Sequence, residues 1–454
     1  LERLGFILRA EHLPYIIILF LCLISRLLSS ISYYEDPEAL RLSLIALESN
    51  LNVLQSTAPV ICFAVKVLDY LLNNIGLNFA ALGGFSAGVI IIYCIRLLRV
   101  PPFSLEGGLA AFMLFFNPLL WLMSNSYLPY MAGCALTIAA LFYTIEDYYN
   151  RGSLNIGFLL TGLLAGVVLQ FILIPFIPGI YYVIKRKQYK PLLFFPLGLA
   201  IWLIPSLWVA YASFPQFINS QSTFFTQGNN MAFFTLIRSL WADGMGGYWL
   251  DRQYFLVINM LPLLSFLFFG LLVIMGFGKE QEKIYLYGSV VGLYLLFTLC
   301  QSARFYTGLV LPIIPLMAIT AAYGIIYFLV NFNMLQIKLV IFIYMGIIVY
   351  FAVGTAIEHT QPTAIAQLEN YLSNDEYSSK GLTILCTDTN IISYLKKESP
   401  AKFYAPKAYN FQMPVQGKLV SVNDSLGRKY TNSVTFVHNP YINHNYTDLI
   451  LYEY

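Results

Sequence analysis

Long apolar runs dominate the first 356 residues. Stretches of the roughly 17–25 residues that a helix needs to cross about 30 Å of hydrocarbon occupy 13–32, 77–97, 103–123, 129–146, 190–212, 254–276, 284–301, 305–329 and 338–355. A further apolar stretch, 154–184, is broken by Gln170, Pro175 and Pro178 and flanked by Arg151 and by Lys185-Arg186-Lys187. Cytoplasmic loops collect Lys and Arg, so basic flanks at both ends predict two short spans instead of one long one. The first run leads into further crossings and reads as a span, not as a cleavable signal. Beyond 357 the period changes. Residues 358–371 predict a helix, 381–386 a buried strand, 390–397 a helix, and 401–404, 418–422, 434–437 and 448–454 further strands. The expected fold class is a polytopic α-helical membrane protein with about 11 transmembrane helices in a domain 1–356, followed by a small C-terminal extracytoplasmic α/β domain, 357–454.

Segment 58–73 is short and carries Lys66 and Asp69, either of which is costly at the bilayer centre. If it lies in the outer interface, twelve basic residues of the membrane domain fall inside, among them Arg96, Arg99, Lys185, Arg186, Lys187 and Lys190, and six fall outside. If it crosses, the Lys185-Arg186-Lys187 cluster is placed outside, against the charge rule. The first reading sets the N-terminus in the cytoplasm and the tail domain outside, with a first outer loop 33–76, a short second loop 124–129 and a long outer loop 213–253. Within the first loop, Asp36 and Pro37 predict a helix start. Leu40, Leu44, Ala46 and Leu47 form an apolar face opposed by Glu38, Arg41 and Glu48, as in a helix lying on a membrane surface.

Composition agrees with this division. Of 454 residues 58% are hydrophobic and 11% charged, which excludes an ordinary soluble protein. The last 98 residues hold 17 of the 49 charges and three of the four histidines. A net charge of +3 implies no nucleic-acid partner. Six separate cysteines form no C-x-x-C pair, so neither a disulfide framework nor a zinc site is readable.

Candidate chemistry concentrates on the outer side. Glu35, Asp36 and Glu38 place three carboxylates within four residues. They either cap a helix and face water or supply a general base to an acceptor hydroxyl or amine. Arg304, just before a span with Pro312 and Pro315, either snorkels or binds a lipid phosphate through its planar fork. In the long loop, Trp241, Tyr248 and Trp249 belong to an interfacial aromatic belt or stack on sugar rings. Asp243 and Arg252 are the charged candidates there, and long structured loops often carry function. Arg26 and Lys66 read first as snorkelling side chains. Asn423-Asp-Ser425 and Asn445-Tyr-Thr447 match a short, common glycosylation pattern.

The order of these motifs resembles the GT-C class of membrane glycosyltransferases, in particular the bacterial branch related to protein O-mannosyltransferases and aminoarabinose transferases. One span is followed by Tyr33-Tyr34-Glu35-Asp36-Pro37-Glu38-Ala39, then by Ala58-Pro59. Later come Ala303-Arg304-Phe305-Tyr306 and Leu311-Pro312-Ile-Ile-Pro315. The resemblance implies transfer of a sugar from a polyprenyl-phosphate carrier to a protein, lipid or glycan acceptor at the outer face, with inversion. It implies a catalytic acid at Asp36, with Glu35 or Glu38 as alternatives, and donor-phosphate binding at Arg304 helped by Lys66 or Arg252. It implies the lipid-linked sugar as co-substrate, leaves a divalent metal open, and places the chain in a bacterial inner membrane with a periplasmic tail. Two departures stand out: the second outer loop, where many relatives carry an acid before a proline, reads Ser124-Asn125-Ser126-Tyr127-Leu128-Pro129, and Thr57-Ala58-Pro59 replaces the His-Pro-Pro of some relatives. A non-catalytic subunit of a membrane complex is the competing reading.

Overall fold

The computed structural model describes residues 13–29, 42, 45, 53–55, 58–126, 128–146, 153–219, 292, 311–331, 335–373, 383–386, 402–404, 418–421, 432–437 and 449–453. Its first helices are α1 (Leu13–Leu28), α2 (Pro59–Leu72), α3 (Ile75–Leu98), α4 (Leu105–Phe115), α5 (Pro118–Asn125) and α6 (Tyr130–Glu146). Their limits follow from local chemistry. Pro59 opens α2, and Asn73 closes it in the left-handed region at φ 47°. The side chain of Asn74 accepts from the Leu77 N–H at 3.0 Å to start α3, and Ser104 does the same for Gly107 at the start of α4. Asn117 accepts from Leu119 and Leu120 and, with Pro118 behind it, starts α5. The α4–α5 pair bends by 57° at this break.

Helices α1 and α3 run antiparallel at backbone distance. A Cβ on Gly84 would stand 2.9 Å from Leu23 Cα, and one on Gly88 3.0 Å from Leu19 Cα. This four-residue glycine spacing is the small-residue seam by which membrane helices approach closely. Because α1 and α3 oppose each other, the chain between them, including α2, makes no net crossing of the bundle.

Helices α7 (Ser153–Leu164), α8 (Leu173–Arg186) and α9 (Phe194–Ala210) follow. The 154–184 run is broken at 165–168, around Gly166, while Pro175 and Pro178 sit within α8. Proline at the first turn is tolerated because that N–H lacks an intrahelical partner. A Cβ on Gly162 would fall on the Phe195 carbonyl oxygen, and one on Gly198 on that of Leu159, so α7 and α9 also meet backbone to backbone. Gly157 lies against Thr144 and Ala140 of α6, and Gly133 against Val168 and Phe171. Helical structure continues past α9 to Asn219, beyond the expected loop start at 213.

Among the described residues, Ile75–Leu98, Leu169–Arg186, Lys190–Asn219 and Ile314–Asn331 are long and apolar enough to cross a membrane, and the bent α4–α5 pair makes a fifth. Leu13–Leu28, Tyr130–Glu146, Ser153–Leu164 and Lys338–Gly354 are shorter apolar helices. Of the expected spans 254–276 and 284–301 only Gly292 is described, helical and buried against Ile174 of α8; the rest lies outside the described residues. In the first outer loop, Leu42 and Ile45 are helical and buried. Leu40, Leu44, Ala46 and Leu47, the expected apolar face, lie outside the described residues.

Helix α10 (Ile313–Asn331) packs on α4, and α11 (Leu335–His359) packs on α5. The expected helix 358–371 is divided: α11 continues to His359, Pro362 interrupts, and α12 spans Ala364–Ser373. Strands β1 (Thr383–Cys386), β2 (Lys402–Tyr404), β3 (Lys418–Ser421), β4 (Asn432–Phe436) and β5 (Leu449–Glu453) form one sheet in the order β2-β1-β3-β5-β4. β1 pairs in parallel with β2 and β3, while β5 is antiparallel to β3 and β4. α12 covers β4, with Tyr371 edge-on to Phe436 at 5.6 Å and the Gln367 side chain donating to the Val437 carbonyl. The expected helix 390–397 lies outside the described residues.

Candidate functional site

The most unusual side chain is Arg26, in the last turn of α1. It is 0% exposed, the largest fully buried side chain among the described residues. A guanidinium in an apolar interior needs acceptors for its N–H groups, and three elements supply them. Nε donates to Ser124 Oγ at 3.2 Å, Nη1 to Ser25 Oγ at 2.9 Å, and Nη2 to the Phe115 carbonyl at 3.1 Å. The faces of Trp121 and Phe115 lie 3.8 and 4.9 Å from the guanidinium carbon, a desolvated cation–π arrangement. The bend at Asn117 brings these groups together by turning the α4 carbonyl end and the α5 ring and hydroxyl toward one point. Gly83 and Gly84 bring α3 in close: a Cβ on Gly83 would strike the Ser124 backbone, and one on Gly84 would stand 3.3 Å from Arg26 Cβ.

A second polar contact lies beside the first. Asn125 Nδ2 donates to Ser29 Oγ at 2.7 Å and to the Ser29 carbonyl at 3.2 Å. Ser124 Oγ in turn donates to the Trp121 carbonyl. Trp121 Nε1 and Asn125 Oδ1 are buried with no hydrogen-bond partner. Arg26 and Ser29 therefore tie the end of α1 to the last turn of α5. Arg26 does not snorkel; Phe115 of α4 and Trp121 and Ser124 of α5 cover its head. A fixed positive charge results, with no carboxylate in ion-pair contact among the described residues. At an effective dielectric of about 20, it would favour a negative charge about 10 Å away by about 1.7 kcal/mol.

A third polar contact couples α2 to α3. Asp69 accepts from Asn78 Nδ2 at 2.7 Å, and Asn78 is fully buried with an unpartnered Oδ1. Asn78 lies six residues before Gly84 on α3, about 9 Å along the axis at 1.5 Å per residue. Lys66, half-buried one turn before Asp69, shares this side of the bundle. Of the residues singled out in the sequence, Lys66 is thus placed in α2, while Glu35, Asp36, Glu38, Trp241, Asp243, Tyr248, Trp249, Arg252 and Arg304 lie outside the described residues.

Crystal structures with the same architecture are known. Over 96% of this chain and 97% of theirs, ArnT from Cupriavidus metallidurans bound to undecaprenyl phosphate matches with a TM-score of 0.60 at 11% identity, and its apo state with 0.61 at 10%. The chain has the ArnT fold. ArnT is an aminoarabinose transferase of the GT-C class, so the fold implied by the sequence resemblance is the fold found. No protein-family model and no curated protein matches the sequence. At 124–126 this chain bears one hydroxyl, Ser124, that meets Arg26 and one amide, Asn125, that meets Ser29, while the Ser126 hydroxyl donates to the Met123 carbonyl. Arg26, expected to snorkel, is instead buried, and Ser124 and Asn125, marked in the sequence only as lacking an acid, are the groups that meet it and Ser29. The available signal was an arginine inside an apolar run, opposite closely spaced glycines.

Proposed function

We propose that this chain is a membrane glycosyltransferase that moves a sugar from a polyprenyl-phosphate-linked donor to an acceptor at the outer face of the membrane, with inversion. The observation that carries the proposal is the fold match over 96% of the chain to an ArnT structure bound to undecaprenyl phosphate. In this reading the membrane domain, 1–356, has eleven spans with its N-terminus in the cytoplasm of a bacterial inner membrane. The sheet and α12 belong to a periplasmic domain, 357–454. The antiparallel α1–α3 pair supports leaving α2 in the outer interface, since it returns the chain to the side from which it left.

Asp36, or Glu35 or Glu38 beside it, takes a proton from the acceptor hydroxyl or amine as it attacks the anomeric carbon. The bond to the carrier phosphate breaks on the opposite face, and the negative charge that develops on the leaving phosphate is stabilised by fixed cations. Arg304 has that role, with Lys66 or Arg252. Trp241, Tyr248, Trp249 and Asp243 line the sugar path. Arg26 contributes a constant positive potential at the root of the first loop and holds that root against the second loop.

The test is sugar release or transfer from radiolabelled polyprenyl-phosphate donors by the purified protein. Turnover that disappears in Asp36→Asn and Arg304→Ala, while both variants stay folded, is the expected result. Absence of turnover with every donor, together with lipid binding indifferent to both substitutions, would favour a non-catalytic subunit. One observation supports that second reading: the Ser124 and Asn125 side chains are engaged with Arg26 and Ser29 instead of facing outward with a charge.

A further inference from the structure

The end of the bundle opposite Arg26 carries a second arrangement of cations, between α8 and α9. Tyr182 and Val183 pack with Leu154 and Phe158, which sets the last turn of α8 beside the first turn of α7. Arg96 lies over Phe142 at 4.5 Å, at the same end of α3 and α6. Between the two helices, Lys185-Arg186-Lys187-Gln188-Tyr189-Lys190 places four cations in six residues. The sequence holds no Asp or Glu from 148 to 242, so this stretch supplies Lys187 and Lys190 no carboxylate.

The turn is tightly built. Lys187 adopts φ 54°, its N–H reaches the Ile184 carbonyl, and the Gln188 N–H reaches that of Val183, both at 3.2 Å. The Leu192 N–H bonds the Tyr189 carbonyl as the next helical stretch opens. Lys187 and Lys190 are exposed, and Ile184, Tyr189 and Leu193 stand out beside them at 61%, 62% and 71% exposure. Leu193 begins a stripe continued at helical spacing by Leu197, Ile201 and Ile204, all exposed, along Lys190–Asn219. A charged turn at the head of an exposed apolar stripe on a membrane-crossing helix matches one ligand chemistry: acyl chains along the stripe and an anionic headgroup at the turn.

We propose that the 185–190 turn, with the stripe beginning at Leu193, is a binding site for an anionic phospholipid of the surrounding membrane. In the orientation proposed above it faces the cytoplasmic leaflet, away from the donor lipid; the site does not depend on the glycosyltransferase reading. Lys187 and Lys190 contact the headgroup phosphate, Tyr189 lies at the level of the glycerol, and Leu193 and Leu197 contact the chains.

Native mass spectrometry of the full chain in detergent, titrated with phosphatidylglycerol or phosphatidylcholine of identical chains, tests this. Wild type should retain phosphatidylglycerol preferentially. Each cation removed should weaken binding about 5-fold, so Lys187→Gln with Lys190→Gln should weaken it about 25-fold without altering phosphatidylcholine retention. Arg96→Gln with Arg99→Gln, the same charge loss at the same end, should leave the preference in place. Equal retention of the two lipids, equal loss in the Arg96/Arg99 pair, or full displacement by millimolar inorganic phosphate would each overturn the assignment. The first would remove headgroup selectivity, the second would point to bulk charge, and the third to a free-phosphate site.

Discussion

The two ends of the helical bundle handle positive charge in opposite ways. At one end a single guanidinium, Arg26, is withdrawn from solvent and given three oxygen acceptors and two ring faces. At the other end Lys187 and Lys190 project from a short turn. A buried cation is solvated by protein groups, and those groups must be held in register by packing, so its surroundings are sensitive to small changes. An exposed cation is solvated by water and lipid phosphate, and its removal changes what binds more than what folds. The same residue class therefore acts as a joint between elements at one end and as a contact to the surroundings at the other.

The largest departure from this symmetry is expected for Arg26→Ala, which opens a void and removes the donor from Ser124, Ser25 and Phe115. About 4 kcal/mol of stability should be lost, measured by denaturant or thermal unfolding of the purified protein in detergent. Arg26→Met keeps much of the volume without the charge; if it unfolds with wild type, the polar shell adds nothing to packing and the contrast between the ends fails. Next comes Gly83→Ala, whose Cβ would fall on the Ser124 backbone. Overpacking against main chain should destabilise by about 3 kcal/mol, visible as a lowered melting temperature and a broadened elution profile. Ser124→Ala removes one of the three acceptors and should lower stability by about 1.5 kcal/mol; the loss should vanish when introduced into Arg26→Met, a double-mutant cycle that sharpens the assignment. Smallest is Gly108→Ala on α4, where a Cβ meets nothing within 4 Å. Melting should rise or stay level, by no more than about 1 kcal/mol.

Regular elements were readable wherever burial is decided by the chain's own period. The run at 77–97 became Ile75–Leu98, and each strand of the sheet lies within or beside an apolar stretch marked in the tail. What escaped was decided by distant partners. Arg26 has Ile24, Leu27 and Leu28 as neighbours in sequence, and nothing local distinguishes a head that reaches water from one that is covered. The covering groups, Phe115, Trp121 and Ser124, come about 90 residues later and converge only because Asn117 breaks the helix. Pro175 and Pro178 resembled breakers, whereas the break fell at Gly166, where Trp202 and Val60 press too close for a side chain. The carboxylates of the proposed active site are legible as a cluster, but their division of labour depends on geometry that spacing does not contain.

One backbone bond carries a consequence for how the protein is made. The Val60 N–H, in the first turn of α2, donates at 3.0 Å to the carbonyl of Gly166, freed where α7 ends. Chains emerge N-terminus first, so α2 waits for its anchor until about a hundred further residues have been synthesised, by which time α3 to α6 have had the opportunity to insert. The connection joined to α2 is thereby completed late, after the helices that must receive it. A ribosome-bound chain ending before Gly166 should leave α2 open to protease, and one that includes α9 should protect it.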